Sequence, residues 1–316
     1  MDGVDTFFRR YPDSPVVQDV LGTVDGGEIR AFVHELVPDA DEIFLFECSV
    51  GALFGVRRAD GSRVAVKLHA RTPPEYLDEM QRVQAHLAAR GFPCPRPLAR
   101  VGNATVEDWV DDGEYRDAHE PGVRGAMAAT LACLHELGRE QDARPLRPSL
   151  LERGDGLWGR PHNALFDFEA TATGAEWIDE IALAAKPLAE APAGREVVSH
   201  TDWSVKHFRF DGLRPTVVYD WDSLHTAREP ALVGGAAATF TYTEHLDVEV
   251  WPTVEEACAF VADYEAARGS PFTTEERRTL EATAVYACAY GARCAHAVGG
   301  DARAGPLPAF AEAFLA

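Results

Sequence analysis

Short apolar runs of strand length fill the first third of the chain and then give way to helical spacing, and that changeover organises the polypeptide. Ile29, Phe32, Val33 and Leu36 recur at three- and four-residue steps and predict a helix over 28–40. Ile43-Phe44-Leu45-Phe46 reads as a strand and Leu53-Phe54-Gly55-Val56 as its successor. Asp60-Gly61 marks a hairpin turn into a third strand, Val64-Ala65-Val66-Lys67-Leu68. Pro73-Pro74 opens a helix with apolar positions Leu77, Met80, Val83 and Leu87, and the proline-rich run Gly91 to Pro97 closes it. Ala99-Arg100-Val101 and residues 105–110 predict two more strands.

Beyond Asp111-Asp112-Gly113 the spacing is helical: over 123–137, 176–188, 254–267 and 274–298, the last opened by a capping signature at Thr273-Thr274-Glu275-Glu276. Two short apolar runs interrupt it, Val197-Val198 and Val217-Val218-Tyr219. Each is followed by an aspartate, Asp202 and Asp220, which lie 18 positions apart. Strands ending at one edge of a sheet would deliver both carboxylates to one cleft. Sheet first and helices after is an α+β order, with lobes expected at 1–111 and 112–316.

At 316 residues, 46% hydrophobic and 26% charged, the chain has the composition of a soluble globular protein and not of a disordered one. Met1 to Pro15 lacks the apolar run of a signal peptide, and no stretch approaches the roughly 20 apolar residues of a spanning helix. The six cysteines are scattered without a CxxC pair, which argues against a zinc knuckle or a disulfide framework. A reduced, cytoplasmic protein without a membrane partner is expected. The net charge of −21 disfavours nucleic acid and suits a cationic small molecule, although acidity also serves solubility. Only three of the 30 basic residues are lysine: Lys67, Lys186 and Lys206. Lys67 stands in an apolar strand, where a cation needs an anion nearby.

Phosphoryl transfer needs a covering for the phosphates, a cation on them, a metal site and a group that orients the attacking hydroxyl. Ser49-Val50-Gly51-Ala52, between two strands, is the candidate covering loop, although an ordinary hairpin explains it too. Lys67 is the candidate cation, with Glu79 on the following helix as its orienting partner and Glu75 the second choice. Asp202 is placed to accept a hydrogen bond from the substrate hydroxyl, and Asp220 to hold the metal. Asp222 has a supporting role, and His200 braces the loop. The absence of GxxxxGK[ST] excludes a P-loop NTPase. His200, Asp202 and His207 also spell H-x-D-x4-H, a possible metal cluster of a hydrolase.

His200-Thr201-Asp202 with position 207, then Val218-Tyr219-Asp220-Trp221, resembles the signature H-G-D-x-x-x-x-N and I-D-W of the aminoglycoside phosphotransferase-like family of small-molecule kinases. The resemblance extends to Val64-Ala65-Val66-Lys67, to Gly91 through Leu98 and to Leu131-Ala132-Cys133-Leu134-His135, and spans 43 to 295. It implies a bilobal protein-kinase-like fold with a small antiparallel sheet lobe and a larger, mainly helical lobe. It also implies ATP or GTP with Mg²⁺, nucleotide contacts that include Glu107 and Trp109, and a hydroxyl-bearing acceptor beside the second lobe. Thr201 replaces the glycine of the signature, and His207 replaces its metal-binding asparagine. Imidazole nitrogen suits Mn²⁺ better than Mg²⁺, so three outcomes are open: His207 swings away and Asp220 with waters holds Mg²⁺, His207 ligates and shifts preference towards Mn²⁺, or the chain is a nucleotide-binding pseudokinase. In the expected acceptor region Asp222, Glu229, Glu244, Asp247, Glu249, Glu255, Glu256, Asp263 and Glu265 suggest an amine-bearing acceptor; solvated helix faces are the plainer explanation. Pro161 to Glu169 is a further candidate border of that region.

Overall fold

The computed structural model describes residues 3–10, 15–69, 72–139, 146, 156–163 and 165–315, and the chain divides into two compact units. The first comprises residues 1–85, 95–110 and 162–165, and the second 86–94, 111–161 and 166–316.

The first unit is a five-stranded antiparallel sheet in the order β1-β2-β3-β5-β4, preceded by helices α1 (Gly3–Arg10), α2 (Pro15–Leu21) and α3 (Gly26–Leu36). Its strands are β1 (Ala40–Cys48), β2 (Ala52–Arg58), β3 (Arg63–Leu68), β4 (Pro97–Val101) and β5 (Ala104–Asp108). The helix expected over 28–40 is α3, shifted towards the N-terminus. Asp25 forms a capping box with Glu28 that starts it earlier, and Ala40 already pairs with Arg58 in the sheet. Alternate residues of β2 and β3, among them Phe54, Val56, Val64 and Val66, are buried against Val4, Ile29 and Val33 of the helices. The intervening Ala65 and Thr105 are buried as well, so the middle of the sheet is covered on both faces. Helix α4 (Pro74–Ala89) follows β3, with Leu77, Met80, Val83 and Leu87 all buried.

The second unit is mainly helical: α5 (Pro121–Gly138), α6 (Glu176–Ala189), α7 (Glu229–Thr239), α8 (Val254–Arg268), α9 (Thr274–Ala297) and α10 (Leu307–Leu315). Helix α9 packs on α6, α7 and α10, and α5 packs on α8. Helix α7 is buried almost all round, so it carries no amphipathic stripe and escapes periodicity analysis. A Cβ at its Gly234 would strike the Leu280 carbonyl of α9, so that glycine lets the two backbones touch. Four short strands are set among these helices: β6 (Glu196–His200), β7 (Phe208–Asp211), β8 (Arg214–Val218) and β9 (Leu224–Arg228). The sequence suggested that the strands before Asp202 and Asp220 end at one sheet edge; they belong to separate sheets. β8 pairs with β7 as a tight hairpin, while β6 pairs with β9. The shorter chain closure wins the edge of β8.

No helix among the described residues is long and apolar enough to cross a membrane.

Candidate active site

Asp202 and Asp220 meet because two backbone segments are tied together on either side of them. After β6, the Thr201 amide and hydroxyl both donate to the Ser223 carbonyl, at 2.9 and 3.0 Å, and Asp202 departs from there. The buried Trp203 anchors the loop edge-on against His200 and Phe208. The Val205 and Lys206 amides then donate to the Phe240 and Tyr242 carbonyls, and a single 3-10 turn carries the chain into β7. On the other segment the Tyr219 amide donates to the His207 carbonyl at 2.9 Å, and His200 Nε2 donates to the Tyr219 carbonyl at 2.8 Å. Asp220 follows with φ 69° and ψ 48°, the only non-glycine residue at positive φ among those described. Aspartate is one of the few residues that tolerate this left-handed backbone, and strain of this kind gathers at functional sites.

His207 Nε2 donates to Asp202 Oδ2 at 2.9 Å and lies 3.9 Å from Asp220 Oδ2. The Lys206 ammonium sits 3.0 Å from the same Asp202 Oδ2 and over the Tyr242 ring, 5.0 Å from its centre. Among the described residues Asp202 Oδ1 receives the Ser204 hydroxyl alone, at 3.2 Å. Burial by itself would raise the Asp202 carboxyl, but His207 and Lys206 outweigh it and hold the acid well below its usual range. Asp202 raises the Lys206 ammonium in turn, against the effect of burial. His200 is buried, and burial foremost, with His207 adding to it, pushes its imidazole down to about 4. It is a neutral brace between the two loops.

One ligand atom each from Asp202, His207 and Asp220 lies within 4.8 Å of the others, the only such group among the described residues. The carboxylate oxygens fit a hard divalent cation. The imidazole fits less directly, because its Nε2 already serves Asp202. His200 does not join them: neither of its ring nitrogens belongs to that group, and its Nε2 donates to the Tyr219 carbonyl. The hydrolase-type cluster of His200, Asp202 and His207 is therefore not formed; Asp220 takes the place of His200.

In the first unit, Lys67 lies on the central strand β3, paired with Leu53 and Thr105. Glu79 is largely buried and forms an ion pair with Arg82 one turn along α4, at 2.5 Å. Glu107 accepts from Gln84 Nε2 at 2.8 Å, and Trp109 meets Phe44 edge-on at 4.9 Å with its indole nitrogen buried and unpaired. The Ser49 amide donates to the Gly51 carbonyl. A Cβ at Gly51 would come within 2.5 Å of the Leu68 carbonyl oxygen, so strand pairing already requires glycine there.

Most acidic side chains of the expected acceptor region have internal partners. Glu229 is fully buried and bound by Arg195, Tyr264 and Arg268. Asp263 pairs with Arg124, Glu265 with Arg277, Glu256 with His119, and Glu244 accepts from the Tyr242 hydroxyl. In the segment 161–169, Phe168 packs on Trp158 and Tyr290 and under the Arg293 guanidinium, and Asp167 caps a turn through the Ala170 amide. Sequence reasoning did not assign Lys206 to the site, although its being one of only three lysines was a usable signal.

A five-stranded antiparallel sheet unit, a helical unit and an aspartate pair set on short strands define a protein-kinase-like fold. The chain belongs to the phosphotransferase enzyme family, whose model matches residues 49–227. No curated protein sequence matches the chain significantly. Among solved structures it is similar to the amicoumacin kinase hAmiN in complex with AMP-PNP, Ca²⁺ and Ami, at TM-score 0.64 and 11% identity, over 92% of this chain and 95% of that one. It is also similar to choline kinase LicA from Streptococcus pneumoniae, at TM-score 0.57 and 12% identity over 91% and 99% of the two chains. Plasmodium vivax ethanolamine kinase gives TM-score 0.56 and 13% identity over 93% and 88%. At such identities the likeness carries the fold and not the substrate.

Proposed function

We propose that this protein transfers the γ-phosphoryl group of ATP, or of GTP, to a hydroxyl of a small molecule. The observation that carries the reading is the convergence of Asp202, His207 and Asp220 within 4.8 Å in a phosphotransferase-family chain. Asp202 orients the acceptor through Oδ1, which among the described residues receives one hydrogen bond. His207 and Lys206 fix the carboxylate through Oδ2. Because Asp202 is so weakly basic, it acts by positioning the hydroxyl rather than by drawing off its proton, in keeping with a loose phosphoryl-transfer transition state. Asp220 would hold Mg²⁺, with Asp222 supporting it, and the ion would neutralise charge on the phosphates. Lys67, oriented by Glu79, contacts the phosphates; Ser49, Gly51, Glu107 and Trp109 complete the nucleotide contacts.

A purified chain carrying Asp202→Ala should lose transfer and keep its nucleotide-induced thermal shift, whereas Lys67→Met should lose the shift itself. Equal loss of binding and rate in Asp202→Ala would make that residue structural. The engagement of His207 Nε2 by Asp202 favours one second reading, a nucleotide-binding pseudokinase. That reading expects nucleotide stabilisation with no transfer to any acceptor, with either Mg²⁺ or Mn²⁺.

A further inference from the structure

Arginines gather where helices α5 and α8 end. Arg139, Arg195 and Arg268, with Glu136, Tyr264 and Ser270, line a cavity of about 300 Å³ in the helical unit, which shares no lining residue with the Asp202 group. Arg195 gives Nε and Nη2 to the buried Glu229, at 2.6 and 3.1 Å, and its Nη1 lies 3.9 Å from Glu136. Arg139 reaches Glu136 at 2.9 Å. The Arg268 guanidinium sits over the Phe272 ring, 4.4 Å from its centre, with Nε 3.5 Å from Glu229. Its Nη1 is buried and has no hydrogen-bond partner among the described residues. No other described carboxylate pairs with these arginines, so three cations face two carboxylates. One positive charge is left over, in a chain whose net charge is −21. An arginine near a helix C-terminus ordinarily serves the last carbonyls. That does not account for Arg268, because its Nη1 meets no acceptor at all. A buried cationic donor without a partner is costly, and an acceptor from outside would satisfy it.

We propose that this cavity is an anion site that takes a phosphate group. Guanidinium forks match phosphate with paired, charge-assisted hydrogen bonds, and a phosphate has oxygens enough to accept from several donors at once. Chloride offers no such geometry, and a carboxylate has only two oxygens to share among three arginines. The cavity lies at the lower end of the size range of small-molecule sites, with room for a phosphate group with or without a short organic stem. Glu136 is the built-in competitor: it already holds Arg139 and stands near Arg195, so an incoming anion draws both away from it. The site stands on its own residues and does not depend on the phosphotransferase reading.

The test titrates the full chain with inorganic phosphate, glycerol 3-phosphate and acetate, against sodium chloride of equal ionic strength, with thermal shift and calorimetry as readouts. Wild type should be stabilised by phosphate or its ester beyond the effect of chloride or acetate. Arg268→Gln should weaken that binding by about tenfold or more, and Arg139→Gln by about threefold. Glu136→Gln should tighten it by about two- to fivefold, a change of opposite sign. Arg139 and Glu136 are 52% and 67% exposed, so these two variants decide the matter even if Arg268→Gln fails to fold. Lys67→Met should bind phosphate as wild type does, which separates this cavity from a nucleotide site. A wild-type shift no larger than that with chloride overturns the proposal. So does an equal shift in all three cavity variants, or a shift that disappears in Lys67→Met. A response to inorganic phosphate alone makes the free ion the ligand, and a larger response to glycerol 3-phosphate makes it a phosphomonoester; either result upholds the site.

Discussion

Two carboxylate clusters in the helical unit use nearly the same parts to opposite ends. Around Glu229 stand Arg195 at 2.6 Å, the Tyr264 hydroxyl at 2.6 Å and Arg268 at 3.5 Å, with His135 bridging Tyr264 and Ser199. Around Asp202 stand Lys206, His207 and Ser204, with His200 bracing the loop behind. The Glu229 side chain has 0% exposure and both oxygens are bound; the Asp202 side chain is 40% exposed and its Oδ1 receives one hydrogen bond among the described residues. The first cluster is closed and serves the fold, and the second is left open to an incoming group. A pair of histidines makes the same point. Burial pushes His135 down to about 3 and His200 down to about 4, so neither carries charge at neutral pH; His135 bonds through both ring nitrogens, while His200 bonds through Nε2.

The contrast can be broken first at Asp202. Asp202→Ala should cut kcat by about 10²-fold or more, because the bound hydroxyl loses its positioning partner, while the unfolding free energy changes by no more than about 1 kcal/mol, because the pair is partly solvated. A comparable fall in stability, measured by denaturant unfolding, would erase the distinction between the clusters. Glu229→Ala should do the reverse and cost about 3–5 kcal/mol of stability, since it leaves Arg195 and Arg268 without their buried counter-charge. Its surviving folded fraction should bind nucleotide as wild type does.

Asp220 sharpens the comparison at a smaller scale. Asp220→Ala should be less stable than Asp220→Gly by about 1–2 kcal/mol, because alanine resists the left-handed backbone that glycine accepts. Both should lose the Mg²⁺-dependent part of any nucleotide thermal shift. The smallest effect belongs to His119, whose two ring nitrogens face Glu256 at 2.7 Å and the Glu249 carbonyl at 2.9 Å, both acceptors. Burial pulls its pKa down, but Glu256, the Glu249 carbonyl and Asp117 outweigh that and raise it. Its contribution is therefore complete below the unfolded value near 6.5 and fades as pH rises through the higher folded value. His119→Gln should flatten that stretch of the stability–pH curve, by less than about 1 kcal/mol, and leave the rest unchanged.

The kinase-like fold was legible because its sheet lobe is written in short-range signals: apolar runs over β2 and β3, the Asp60-Gly61 turn, and the proline stop after α4. The meeting of Asp202 with Asp220 was legible too, by an inexact route, since hydrogen bonds across His200, His207 and Tyr219 join the two loops rather than a shared sheet edge. Pairings over long chain separations were not legible. Asp263 finds Arg124 across 139 positions and His119 finds Glu256 across 137, so carboxylates that looked available for a cationic acceptor were already neutralised. Helix α7 was hidden for another reason: a segment buried on every side shows no polar face to a periodicity search.

The positive φ at position 220 bears on how this site can decay. Glycine and asparagine share aspartate's tolerance for that backbone, and each is reachable from an aspartate codon by one base change. Drift at this codon thus passes easily into chains that still fold and accumulate but lack the negative charge of residue 220. Silent descendants of an active ancestor are the expected by-product of such a backbone, and the residue at 220 is the first place to look for them.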